Sequence, residues 1–147
     1  MAYNVKSYTN VEQARYLARI LSPETADMHY NNLSVKGVNY VDPFHADLMS
    51  YKDAVETLCD YKKANPLFEV LPCWSTQALL DEIPYQVVNA VEEDLTLHIE
   101  KEELQYHLRY ENDCTGASYE IDTETYDDLI DACFEMIVKL KEKDSQT

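Results

Sequence analysis

The stretch that decides the fold runs from Leu95 to Asp122, LTLHIEKEELQYHLRYENDCTGASYEID. Leu95, Leu97 and Ile99 alternate with Thr96, His98 and Glu100. Leu104, Tyr106, Leu108 and Tyr110 alternate with Gln105, His107 and Arg109, and Ala117, Tyr119 and Ile121 alternate with Ser118, Glu120 and Asp122. Successive side chains of a strand point to opposite faces, so three period-two runs in a row predict an antiparallel meander with one buried face. A tight turn at Lys101-Glu102 sets Ile99 opposite Leu104 and Leu97 opposite Tyr106. With Tyr106 opposite Ile121, His107 falls opposite Glu120. A slip of one residue would turn the whole apolar set into water, which holds the register to one parity. Asn112, Asp113 and Gly116 supply turn formers for the second connection.

A sheet with one greasy face needs a cover. Residues 126–142 supply it, with Tyr126, Ile130, Cys133, Ile137 and Leu140 at helical spacing. Asp127, Asp128 and Asp131 crowd the start of this helix and Lys139, Lys141 and Lys143 its end, both complementing the helix dipole.

Three further helices are expected upstream. Residues 10–21 carry Val11, Ala14, Leu17, Ala18 and Leu21 as a stripe, with Thr9 and Glu12 as a capping box and Pro23 as the stop. Ser22-Pro23 opens a short turn through Asp27. Residues 51–64 place Tyr51, Val55, Leu58 and Tyr61 along one side, with Ser50 as N-cap and Asn65-Pro66 as the end. Residues 75–83 start at Ser75 as N-cap, with Trp74 and Leu79 at hydrophobic-staple spacing and Pro84 as the stop. Leu33, Val35, Val38 and Tyr40 around Lys36-Gly37 suggest a short hairpin within residues 28–48, and Pro43 interrupts any later strand. The sum is an α+β domain over residues 1–143, with 144–147 as a frayed tail.

The length, 147 residues, suits one domain able to bury a core unaided. Only two glycines occur, Gly37 and Gly116, which excludes glycine-rich phosphate loops and dinucleotide fingerprints. The formal net charge of −16 is unevenly spread: residues 1–80 hold nine acids and seven bases, residues 81–147 nineteen acids and five bases. Such a field repels phosphate backbones and anionic membranes, so direct nucleic-acid or membrane binding is not expected. An acidic surface serves solubility, or a partner with a basic cleft.

Cys59, Cys73, Cys114 and Cys133 show no C-x-x-C spacing, so no zinc knuckle or redox motif is expected. Cys59 and Cys133 read as small core residues. No basic-then-apolar leader stands at the start, no apolar run approaches membrane length, and Ala2 stands where myristoylation needs glycine. The cytoplasm, with reduced thiols, is the expected compartment.

Two segments carry a family resemblance: SPETADMHY at residues 22–30 and LPCWSTQALLDEIP at residues 71–84. With the final helix carrying Asp131-Ala132-Cys133-Phe134-Glu135-Met136, the chain resembles a group of small uncharacterised proteins from gut Bacteroidales genomes and their phages or mobile elements. The resemblance covers most of the chain but its motifs are short. It implies an intracellular accessory protein, with a phage or mobile-element gene as one origin, and carries over no catalytic residue.

Each candidate site has two readings. Trp74 lines a groove for a peptide or ligand, or anchors its helix as a staple. Cys73 is a nucleophile only if a base such as His98 or His107 lies near, and those histidines belong to the sheet's polar face. His98, His107, Arg109 and Glu120 form a metal or acid–base site on that face, or a solvated set of cross-strand pairs. Asp27 and His29 bind a metal, or serve turn hydrogen bonding. Tyr3, Tyr8, Tyr16, Tyr30 and Tyr40, among twelve tyrosines, suit an interface or the edge of the core. No cofactor is expected.

Three functions follow from these residues. The first is a non-enzymatic interaction protein that self-associates or docks a protein partner. The second is a nucleic-acid mimic that blocks a DNA-handling or defence protein. The third is a small enzyme using Cys73 or the strand histidines.

Overall fold

The computed structural model describes residues 7–31, 44–45, 51–65, 69–88, 91–116 and 118–144, with the backbone alone for 31, 44–45 and 118–121. The chain divides into two compact units, Tyr8–Ala78 and one built around Leu79–Thr147. Both are α+β.

In the second unit, β4 (Gln86–Val88), β5 (Asp94–Glu102), β6 (Gln105–Glu111) and β7 (Ser118–Asp122) form an antiparallel sheet in that order, and α5 (Leu129–Asp144) lies against β6 and β7. The alternation holds in part: Leu95, Leu108 and Tyr110 are fully buried, and α5, packed on β6 and β7, buries Ile130, Ala132, Cys133, Met136 and Ile137. Tyr110 keeps its hydroxyl satisfied by donating to the carbonyl of Pro84 at 2.6 Å.

The register differs from expectation. The β5–β6 turn is at Glu103-Leu104, two residues later than Lys101-Glu102, so Ile99 faces Leu108 and Leu97 faces Tyr110. The pairing moves by an even number of residues, so the same side chains keep to the apolar face, although Ile99 and Leu104 on it are exposed. Nothing in Lys101–Leu104 marks the turn chemically, and Glu103 takes the left-handed conformation (φ 56°) where glycine or asparagine would be usual. On the other side β6 and β7 are shifted by a bulge, with Arg109 opposite Asp122 and Glu111 opposite Ser118. His107 is therefore not opposite Glu120. Beyond β7 the ladder continues: Leu108 N–H donates to Thr123 Oγ1 and Thr123 N–H to Leu108 O, both at 2.9 Å, and Tyr106 exchanges backbone bonds with Tyr126. That bridge fixes Tyr126 outside the helix, which starts at Leu129 rather than at 126.

β4 is an unexpected strand. Three residues, QVV, are too few to show alternation, and their pairing with Asp94–Thr96 defines them. The second connection turns on Asn112, whose Oδ1 accepts from the Cys114 and Thr115 amides, and on Gly116 at φ +73°.

In the first unit, β1 (Met28–Asn31) lies between β2 (Phe44–His45) and β3 (Val70–Cys73), both antiparallel to it. α1 (Val11–Leu17) and α2 (Tyr51–Thr57) pack on β3. Ala14, Met28, Tyr30, Leu71 and Cys73 make the core, with Tyr8 and Val11 against it. β1 and β3 escape a sequence reading because Pro72 interrupts the second and neither alternates cleanly. The hairpin expected around Lys36-Gly37, Pro43 and the Ser50 cap lie outside the described residues.

α1 is capped by Asn10 and Gln13 in a reciprocal box, one residue along from the expected Thr9 and Glu12. Thr9 is diverted inward: its amide donates to Trp74 O and its hydroxyl accepts from Trp74 N–H. α1 ends at Leu17, and the chain continues in turns to Leu21 before a 3₁₀ turn at Pro23–Thr25. The expected 51–64 helix is broken at Leu58 into α2 and α3 (Cys59–Ala64). Its buried residue is Ala54, while Val55 and Tyr61 are exposed and Tyr51 and Leu58 only half-buried, so the expected stripe is not the packed side. Cys59 is likewise exposed, not core, whereas Cys133 is buried. α4 (Thr76–Asp81) begins as expected, with Ser75 Oγ accepting from Ala78 N–H at 3.2 Å and with Trp74 and Leu79 fully buried.

Candidate functional site

The polar face of the β5–β6 ribbon collects the charged side chains. Period two and the observed register set His98 beside Arg109, Glu100 beside His107 and Thr96 beside Glu111. The Arg109 guanidinium reaches Glu100 Oε1 from Nε (3.0 Å) and Nη2 (2.7 Å), and Glu111 Oε2 from Nη1. Those bonds hold the Glu100 carboxyl below the usual carboxylate range and raise Arg109 further. Glu100 Oε2 lies 3.5 Å from His107 Nδ1, whose ring presents Nε2 to Asp122 at 3.9 Å. His98 Nε2 lies 2.9 Å from Asp113 Oδ1 across the next connection.

Beside this cluster is an open recess of about 310 Å³ lined by Glu100, Glu102, Glu103, Gln105, His107 and Thr125. Its chemistry is that of a hydrogen-bond acceptor set with one imidazole in the wall, suited to a cationic group. Among the described residues no three His, Cys, Asp or Glu side chains converge to hold a metal ion.

The apolar face of the same ribbon is only partly roofed. Leu108 sits on the central strand β6 and is fully buried, yet its partner Ile99 is 46% exposed and Leu104 at the turn 59%. The reason is strand length: β4 flanks β5 along Asp94–Thr96, with Tyr85 O accepting from Leu97 N–H, and goes no further.

The remaining sequence candidates lie elsewhere. Trp74 is fully buried, its indole N–H donating to Thr25 Oγ1 at 2.8 Å. Tyr30 is buried with its hydroxyl on Thr9 O at 2.7 Å. Neither side chain presents a surface. Tyr40 is outside the described residues, and Glu120 is described in its backbone alone, in β7. Asp27 accepts from the amide and hydroxyl of Ser75, and His29 is buried in β1. Burial pushes the Cys73 thiol up to about 11, with Thr9 as its hydrogen-bond partner, and burial pushes Cys133 to about 12. Both are protonated at neutral pH, where a nucleophile needs a thiolate.

Sequence reasoning missed the recess and the exposed tip. The signal for the tip was present, since the β5 and β6 runs extend past the length one short neighbour can flank. The recess depends on the turn position, which the sequence leaves unmarked. The chain matches no protein-family model, no curated protein and no solved structure. Among the described residues no helix is long and apolar enough to cross a membrane.

Proposed function

We infer that this chain is a non-enzymatic, acidic interaction protein that binds a protein partner through the β5–β6 ribbon. The observation that carries it is the pair Ile99 and Leu104, large apolar side chains left in water at the ribbon's tip, amid Glu100, Glu102 and Glu103. Apolar surface rimmed by charge is the anatomy of an interface, with an apolar centre for affinity and a polar rim for selection. The resemblance to small uncharacterised proteins of Bacteroidales and their mobile elements, which implies an accessory role, is in keeping with this reading. Four free cysteines suit the reducing cytoplasm as its place of work.

The mimic reading has less behind it. It needs unpaired acids spaced like phosphates, and Glu100 and Glu111 instead converge on Arg109. The test is affinity capture with the full chain beside its Ile99→Glu/Leu104→Glu variant, with light scattering on both. A defined partner, or a self-association, that the variant loses is the expected result. A monomer that retains nothing, or a variant that retains everything, overturns the reading.

A further inference from the structure

The geometry points to strand addition: an extended peptide that alternates basic and apolar residues pairs with the edge of β5 at Ile99–Lys101, which β4 does not reach. This deepens the interaction reading and rests on it.

The edge follows from the ladder. Leu97 N–H donates to Tyr85 O at 2.8 Å, so the odd-numbered residues of this part of β5 direct their backbone groups toward the β4 side. Ile99 and Lys101 point the same way, and β4 has already ended. Among the described residues no strand stands opposite them, so two donors and two acceptors line up on an edge that no described strand fills. Such edges are usually defended by a bulge, a charge or a cover. The far edge of the sheet has such features: the β6–β7 pairing is bulged, β7 carries Glu120 and Asp122 in its sequence, and Lys139 Nζ caps the Asp122 carbonyl at 2.9 Å. The β5 edge also carries charges, Glu100, Lys101 and Glu102, but its ladder is regular and Ile99 stands half-exposed at its start.

The two faces choose the occupant. On an added strand, the residue opposite Ile99 shares the apolar face and extends Ile99's cover. Its two neighbours emerge on the polar face beside His98 and Glu100, and the next residue on that face falls beside Glu102 and the acceptor-lined recess, where lysine or arginine is favoured. A second copy of this chain would instead bring Glu100 and Glu102 against their own counterparts or other acids of the more acidic half.

The probe is a synthetic seven-residue peptide alternating lysine and valine, titrated into the isotope-labelled full chain at low and moderate salt. A peptide of the same composition in block order, lysines then valines, keeps the charge and loses the alternation. The expected result is protection and shift of the Ile99 and Lys101 amides, with the alternating peptide at least tenfold tighter. Ile99→Pro removes one outward donor at an edge position that tolerates proline, and Ile99→Lys adds a like charge without touching the backbone. Both should abolish the preference while leaving thermal unfolding cooperative. Equal affinity of the two peptides overturns strand addition, as do shifts confined to Glu100 and His107, or edge protection that appears without peptide as a dimer forms. If strand addition fails while Ile99→Glu/Leu104→Glu still loses a captured partner, the interaction reading survives alone; if both fail, both are lost.

Discussion

β5 and β6 are joined by two residues, whereas β1 and β3 pair with residues 32–69 between them. Each pair belongs to a small antiparallel sheet packed against helix, and the means of fixing it differ. In the C-terminal unit the ribbon is local and α5 covers the part of it along β6 with an apolar stripe, leaving the tip at Ile99 and Leu104 exposed. In the N-terminal unit the ends of β1 and β3 are held by polar bonds that cross long sequence separations. Thr9 exchanges bonds with Trp74, the Trp74 indole reaches Thr25, and Asp27 holds Ser75. Longer loops are cheap in stability, at roughly 0.6 kcal/mol per doubling, so the non-local unit need not be the weaker one. What distance changes is how many separate contacts must agree before the pairing holds.

The four thiols allow the two units to be read separately. Each unit has one exposed cysteine, Cys59 or Cys114, and one buried one, Cys73 or Cys133. Trp74→Ala should cost about 3–5 kcal/mol and Leu108→Ala about 2–5 kcal/mol, since both side chains are fully enclosed. Under native conditions a thiol reagent should label Cys59 and Cys114 at once and the buried pair only through opening. Trp74→Ala should accelerate labelling of Cys73 ahead of Cys133, and Leu108→Ala the reverse. Equal acceleration of both by either variant would break the comparison and make the chain one cooperative unit.

The same contrast explains what could be read in the sequence. The meander and α5 announce themselves because period two and period 3.6 are local signals, and both survive a displaced turn. The turn itself does not, because Glu103 takes a left-handed conformation without the residue type that advertises it. The capping box shows a competition: Thr9-x-x-Glu12 and Asn10-x-x-Gln13 fit the pattern equally, and the core contact to Trp74 decides for the second. β3 and β4 gain their identity from their partners, VLPC from β1 and QVV from β5. At the candidate site, the residue types on the polar face were legible, while their pairing was not. Arg109 joins Glu100 to Glu111, and His107 meets Glu100 and Asp122, because of a turn and a bulge that no local pattern marks.

A second test uses pH to probe what anchors α5. Glu135 accepts from the Tyr126 hydroxyl, and Lys139 lies 2.9 Å from its other oxygen. Burial alone would lift the Glu135 carboxyl, but the bonds from Tyr126 and Lys139 carry it below the usual range. Its contribution is therefore present above the ordinary glutamate pKa of ~4.3 and is lost as pH falls through the lowered folded value. Tyr126 is pushed up to about 12 by its bond to Glu135 and by burial, so its contribution holds below the ordinary ~10 and fades as pH rises toward about 12. Glu135→Gln should cost about 1.5–3 kcal/mol at neutral pH and flatten both limbs of the stability profile, followed by urea unfolding. Unchanged limbs would mean that α5 is held by its apolar stripe alone.

The smallest expected effect separates two arginines. Arg15 pairs with Glu69 at 2.8 Å on the surface of the N-terminal unit, with 43% of its side chain in solvent. Exposed pairs of this kind contribute about 0.2–1 kcal/mol because water screens the attraction and two long side chains must be held still. Arg109 is less exposed and stands between two carboxylates of one sheet face, so removing it takes from Glu100 and Glu111 the guanidinium they share. Arg15→Ala should therefore change stability little, and that little should vanish in molar salt, where the screening length falls to ~3 Å. Arg109→Ala should cost more at low salt and regain part of the loss as salt screens the residual repulsion. Equal costs with equal salt dependence would show that the charged face of the ribbon is no more organised than an ordinary surface pair, and would remove the electrostatic reason for a partner to prefer it.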